Sequence, residues 1–271
     1  MAMIKFLHPV KTFYYIARQS FLNSMVFRAN YFIDFFIDIV FIYLSVSLWS
    51  VIFMDNPENS IVSKSELITY MGLARIVARI DMGFVWEIQN RILNGEIASE
   101  LTKPINIKFY HFSQEVGSYF NNLIIKILPI YLLMIIVFDM KTPINITQFS
   151  LFLVSLLFSF LLIFNINFIT AIMAFWITKL FSLSVFKDQT IRLLSGAIVP
   201  LWFFPDSVLS VVKYLPFSGI VFMPINIYLN KITNEEIINA FLVQIIWIIV
   251  TSSIGRYLWF RATRRISING G

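Results

Sequence analysis

Long apolar runs alternate with short polar connections along the whole chain. A helix needs about 20 largely apolar residues to cross a hydrocarbon core of ~30 Å, and on that ruler the runs predict spans near 29–53, 65–87, 113–138, 149–177, 185–204 and 235–260. Ahead of the first span, Ile4, Phe6, Leu7, Phe13, Tyr14 and Ile16 alternate with Lys5, Lys11 and Arg18. That alternation predicts an amphipathic helix lying in the membrane interface. Between the fifth and sixth spans the chain is apolar but broken by Pro200, Pro205, Pro216 and Pro224. Proline at that density does not continue a lipid-facing helix, and it predicts an external re-entrant or interfacial helical hairpin. The expected fold is an all-α integral membrane protein, with six transmembrane helices in a single domain over residues 1–271.

Composition agrees. The chain is 58% hydrophobic, 17% aromatic and 13% charged, which leaves too little polar surface to coat a water-soluble domain of 271 residues. The N-terminal segment shows no compact apolar core leading to a cleavage site, so it reads as uncleaved. The net charge of +6 gives no nucleic-acid reading, because the basic residues gather at span ends. Fourteen of the 21 Lys and Arg, among them Arg91, Lys103, Lys187 and Arg264, fall on one side of the predicted topology. Four, Lys64, Lys141, Lys213 and Lys231, fall on the other, and Arg75, Arg79 and Lys126 lie inside spans. Basic residues are retained on the cytoplasmic side, so six crossings with both termini cytoplasmic are expected.

The second span is the least apolar, because Arg75 and Arg79 each cost about 2.5–3.5 kcal/mol near a helix centre. Asp34 and Asp38 share one face of the first span and the two arginines share a face of theirs. Counted from the cytoplasmic ends, Asp38 and Arg79 lie at similar depth, and an ion pair between them is expected. Lys126 lies deep in the third span beside Asn121 and Asn122, positioned to meet an acidic side chain or a substrate anion. Two roles stay open for Asp34, Asp38, Arg75, Arg79 and Lys126: an intramembrane ion pair locking spans together, or the lining of a translocation path. Asn165, Asn167 and Thr170 of the fourth span read as interhelical hydrogen-bonding groups.

Reaction chemistry is not visible. None of the nine glycines precedes a Lys, so there is no P-loop. His8 and His111 stand far apart with no metal-ligand spacing, no Ser sits in G-x-S-x-G, and there is no cysteine. No catalytic residue, metal ligand or enzymatic activity is expected.

After the second span the chain reads Arg91-Ile-Leu-Asn94-Gly95-Glu96-Ile-Ala-Ser99-Glu100-Leu101-Thr-Lys103-Pro104-Ile-Asn106. Later come Ala174-Phe175-Trp176, Leu194-Ser-Gly-Ala-Ile-Val-Pro200, Phe203-Phe-Pro205 and Leu215-Pro216-Phe217. In this order and placement the segments resemble the six-span permease subunits of ABC-2-type exporters, over nearly the whole chain. The resemblance implies a permease that binds no cofactor itself and works with separate cytosolic ABC ATPase subunits, which carry the ATP and Mg. It further implies a second copy or a homologous second permease, membrane lipid as surroundings, and a place in the cell membrane (the bacterial inner or plasma membrane). It also assigns an ATPase-coupling helix to the cytoplasmic segment after the second span, with Asn94, Gly95, Glu96, Ser99, Glu100 and Lys103 as its residues. There Gly95 breaks the preceding helix and the two carboxylates are expected to face the ATPase. The reading from another class is an autonomous ion- or proton-coupled carrier or channel with Asp34 and Asp38 as its sites. Such a carrier is expected to show inverted repeats and broken mid-membrane helices, and neither is visible in the sequence.

Overall fold

A computed structural model describes residues 9–25, 28–54, 62–78, 83–138, 140–177 and 180–264. The described residues hold helices and turns but no strand. Helix α1 (Pro9–Ser24) buries none of its residues and lies against α6 (Ile107–Asn122). The two backbones touch, since a Cβ added at Gly117 would come within 2.1 Å of the Ala17 carbonyl oxygen. Ser20 Oγ donates to the Gln114 carbonyl at 2.8 Å and lies 2.9 Å from Ser118 Oγ, and Asn121 donates to the Phe21 carbonyl at 3.1 Å. Small and polar residues thus replace bulk where two helices meet in lipid.

Four helical stretches are long and apolar enough to cross a membrane among the described residues: Phe32–Val51, Ile107–Val137, Ile146–Phe175 and Asn234–Thr263. They coincide with the expected first, third, fourth and sixth spans. Their starts are written in capping residues. Asn106 accepts from the Lys108 and Phe109 amides at the head of α6, and Asn145 accepts from the Gln148 amide at the head of α8 (Ile146–Ile172). Thr233 and Glu236 form a reciprocal capping box on α12 (Asn234–Thr263).

The expected second and fifth spans differ from the rest. In place of a run over 65–87 stand α3 (Lys64–Ala78) and α4 (Phe84–Leu93), with 79–82 between them outside the described residues. In place of 185–204 stands α9 (Leu180–Leu194), which a turn at Gly196, φ 81°, follows. At 15 residues each, α3 and α9 are about 22 Å long, short of a ~30 Å core. Charged side chains also interrupt α9, with Lys187, Asp188 and Arg192 within it.

The proline-rich segment forms two seven-residue helices, α10 (Asp206–Val212) and α11 (Phe222–Tyr228). Residues 223–228 of α11 are buried against α8 and α3, and the Trp202 indole N–H donates to Asn226 at 3.0 Å. α8 is the central element. It packs on α12, α11 and α4, and Gln244 of α12 joins Ser155, Ser159 and the Gly219 carbonyl in a fully buried hydrogen-bonded cluster.

Candidate functional site

Two groups of charges gather the residues singled out above. The first hangs on α2 (Arg28–Met54), whose Asp34 and Asp38 stand one helical turn apart. Asp38 is fully buried and accepts from Arg75 Nε of α3 at 2.8 Å, with the guanidinium also 4.4 Å from the centre of the Phe41 ring. Arg79, the partner expected from depth, lies outside the described residues. Asp34 meets Lys126 at 2.5 Å. Two acids on one face of α2 therefore reach two different neighbours; Asp34 is partly exposed, whereas Asp38 is buried, and removing one member of a buried pair costs about 3–5 kcal/mol.

Lys126 is aimed by a local irregularity. Pro129 has no amide hydrogen, and its ring collides with the carbonyl four residues back, so the helix loosens just before it. Residues Leu123–Ile127 form a π turn in which the Leu128 amide bonds to the Leu123 carbonyl, and α7 (Leu128–Val137) continues the rod.

The second group links α4 to α5 (Ile97–Leu101). Gly95, at φ 75°, ends α4 after the cap Asn94, the left-handed position that favours glycine. The reversal brings Glu100 back onto Arg91, which also holds Glu87 at 2.5 Å one turn earlier, and Lys103 adds a contact to Glu100 at 3.4 Å. Glu100 was expected to face outward. Instead it is 8% exposed, because Arg91 and the buried neighbour Ile97 draw that face of α5 inward. Asn94, Gly95, Glu96, Ser99 and Lys103 remain exposed, together with Leu93, Leu101 and Ile105. Glu87 and Arg91 carry a signal that sequence reading could have used, since opposite charges four residues apart share a helix face.

Polar residues of α8 divide between neighbours. Asn165 points its amide at the Ile248 carbonyl of α12 at 3.5 Å, Asn167 accepts from Lys187 of α9, and Thr170 bonds back to Ile166 within its own helix. At the opposite end of the bundle from α5, Glu66 receives Lys141 at 3.2 Å and Lys231 at 2.8 Å. One carboxylate thereby joins α3 to the loops before α8 and α12. Among the described residues no group of His, Asp and Glu is arranged to hold a metal ion.

The arrangement ties helices together and leaves the turn and helix over 94–103 with one face presented outward. No individually curated protein matches the chain. A family model described as ABC-2 family transporter protein matches residues 39–270. The chain belongs to that family, as a multi-pass membrane permease subunit of an ABC transporter that partners with an ABC ATPase subunit.

Proposed function

We propose that this permease serves an exporter, forms its substrate path with a second permease or a second copy of itself, and couples to the ATPase through the segment Asn94–Lys103. In this reading the chain crosses the cell membrane six times with both termini cytoplasmic. The shorter α3–α4 and α9 segments are the second and fifth crossings, α1 lies at the cytoplasmic surface, and α10–α11 form the external hairpin. ATP and Mg belong to the partner. Closure of the ATPase pair pushes α5, and α5 passes the push to α4 through Arg91 and to α6 through the chain itself.

The observation that carries this reading is the outward face of Asn94, Glu96, Ser99 and Lys103, set off by Leu93 and Leu101, on a short helix whose inner face Arg91 and Ile97 clamp. A clamped helix transmits force where a slack loop absorbs it. The test is co-purification of ATPase from the native membrane with tagged permease. Glu96→Lys with Ser99→Arg is expected to leave membrane insertion intact and to strip the ATPase away. Wild-type recovery of ATPase and undiminished export with that double variant would sink the assignment.

A further inference from the structure

Arginines gather on one face of the C-terminal turns of α12, and the permease reading gives that face no role. Glu236 stands in the first turn of α12, and Arg256 follows it by about 20 residues, ~30 Å of helix, the thickness of a hydrocarbon core. Arg256 therefore lies at the edge of the core, with Arg261 and Arg264 about 7–12 Å beyond it in the headgroup layer. Arg256, Phe260 and Arg264 succeed one another at four-residue steps, and Tyr257 and Arg261 run beside them, so these exposed side chains share a face. The opposite face is packed. Gly255 and Ala262 are buried there, and the Trp259 ring lies 6.2 Å from those of both Phe168 and Phe175 between centres.

Each of the two outer arginines is held over a ring. The Arg261 guanidinium carbon lies 5.7 Å from the centre of the Tyr257 ring, and that of Arg264 lies 4.1 Å from the centre of the Phe260 ring. A guanidinium seated on a ring face keeps the N–H donors along its edges for another partner, and its planar fork matches two phosphate oxygens at once. α12 carries acids only in its first turn, Glu235 and Glu236, at the far end. The following 265–271, outside the described residues, adds Arg265 and no acidic side chain to the sequence. Lys108 at the head of α6 reaches the same region, donating to Ser252 at 3.0 Å one turn before Arg256. The face thus combines positive charge with aromatic rings at the depth where a bilayer presents its phosphates. Exposed rings at that depth favour lipid over an acidic protein surface, which would need no apolar contact beside the charge.

We infer that this face of α12 binds the headgroups of acidic phospholipids. The inference deepens the permease reading by naming a lipid partner, and it rests on that reading only for the leaflet, which the proposed topology makes the cytoplasmic one. Lys108 follows the segment Asn94–Lys103 in the chain, so lipid held here sits beside the element assigned to the ATPase.

The experiment uses the full chain in phosphatidylcholine nanodiscs that carry a trace of spin-labelled phosphatidylglycerol or of spin-labelled phosphatidylcholine, with electron paramagnetic resonance reading the immobilised fraction of each. The wild type is expected to hold labelled phosphatidylglycerol about fivefold more strongly than labelled phosphatidylcholine. Arg261→Gln with Arg264→Gln changes only exposed positions and is expected to bring that ratio below about twofold. Lys64→Gln with Lys213→Gln removes the same charge from exposed positions elsewhere on the chain and is expected to leave the ratio unchanged. If both pairs lower the ratio equally, the preference follows total charge and the inference fails. Displacement of the labelled lipid by millimolar inorganic phosphate would make the face a soluble-anion site and overturn it as well. An arginine variant that keeps the lipid ratio but loses co-purifying ATPase would assign the face to the partner protein instead. Lipid binding is read on the chain alone in a symmetric bilayer, so its failure leaves the ATPase partnership and the topology, tested separately, untouched.

Discussion

Helices α2 and α8 are both 27 residues long and both apolar, yet the fold uses them in opposite ways. α8 buries residues along most of its length and packs on α4, α9, α11 and α12. α2, over its described side chains, buries only Asp38 and Ile42, and presents Phe32, Phe36, Val40, Leu44 and Leu48 outward. In water that difference would follow from hydrophobicity. In lipid apolar burial gives little preference, because the tails are as apolar as the side chains. Polar groups decide instead: Ser155, Ser159 and Asn165 draw neighbours around α8, while α2 is held by two carboxylates.

The comparison breaks most sharply at Asp38. Asp38→Ala leaves the Arg75 guanidinium without this acid and is expected to cost about 3–5 kcal/mol. The loss should be seen as a lowered Tm in detergent, with protease cutting within α2 before the rest of the chain. Asp38→Arg combined with Arg75→Asp is expected to regain part of that stability, and no recovery in the exchanged pair would mean that the contact is not what holds α2.

Gln244→Leu attacks the other helix. It removes the acceptor of the buried Ser155 hydroxyl and one of the two donors to the Gly219 carbonyl, which Ser159 still reaches, at an expected cost of about 1–3 kcal/mol. Here the unfolding transition should move as a whole, because α8 is common to most of the packing. Early cutting confined to α2 in this variant would contradict the contrast drawn between the two helices.

Glu66→Gln is the mildest change. Its two lysine contacts lie at the bundle end, where ion pairs contribute about 0–1 kcal/mol and salt screens them. The Tm difference from wild type should therefore shrink as sodium chloride is raised, while the Asp38→Ala difference should persist. A Glu66 effect that ignores salt would place that carboxylate with the buried pairs.

Much of this was legible. The four long helices stand where apolar length puts them, Gly95 ends α4 as expected, and the charges of α2 are satisfied inside the protein. Depth counting proposed Arg79 for Asp38; Arg79 lies outside the described residues, and among those described Asp38 meets Arg75 and Asp34 meets Lys126. At the expected fifth span, 185–204, stands α9, which begins and ends earlier. A hydropathy window averages across Gly196, where the backbone reverses. The inward turn of Glu100 depends on where Arg91 arrives in space, and nothing local to 94–103 encodes it. Gln244 and its two serines look unremarkable in sequence because their meaning lies in the facing helix.

The π turn also solves a geometrical problem for the 31-residue rod Ile107–Val137. One residue accommodated in a wider turn leaves everything beyond it displaced by about 100° in azimuth relative to an uninterrupted α-helix. The rod can then face two ways: Gly117 and Asn121 toward α1 in its first half, and Met134 toward Gly72 of α3 in its second. A single continuous cylinder serves two separate interfaces, and it does so with one rotational offset fixed by one proline.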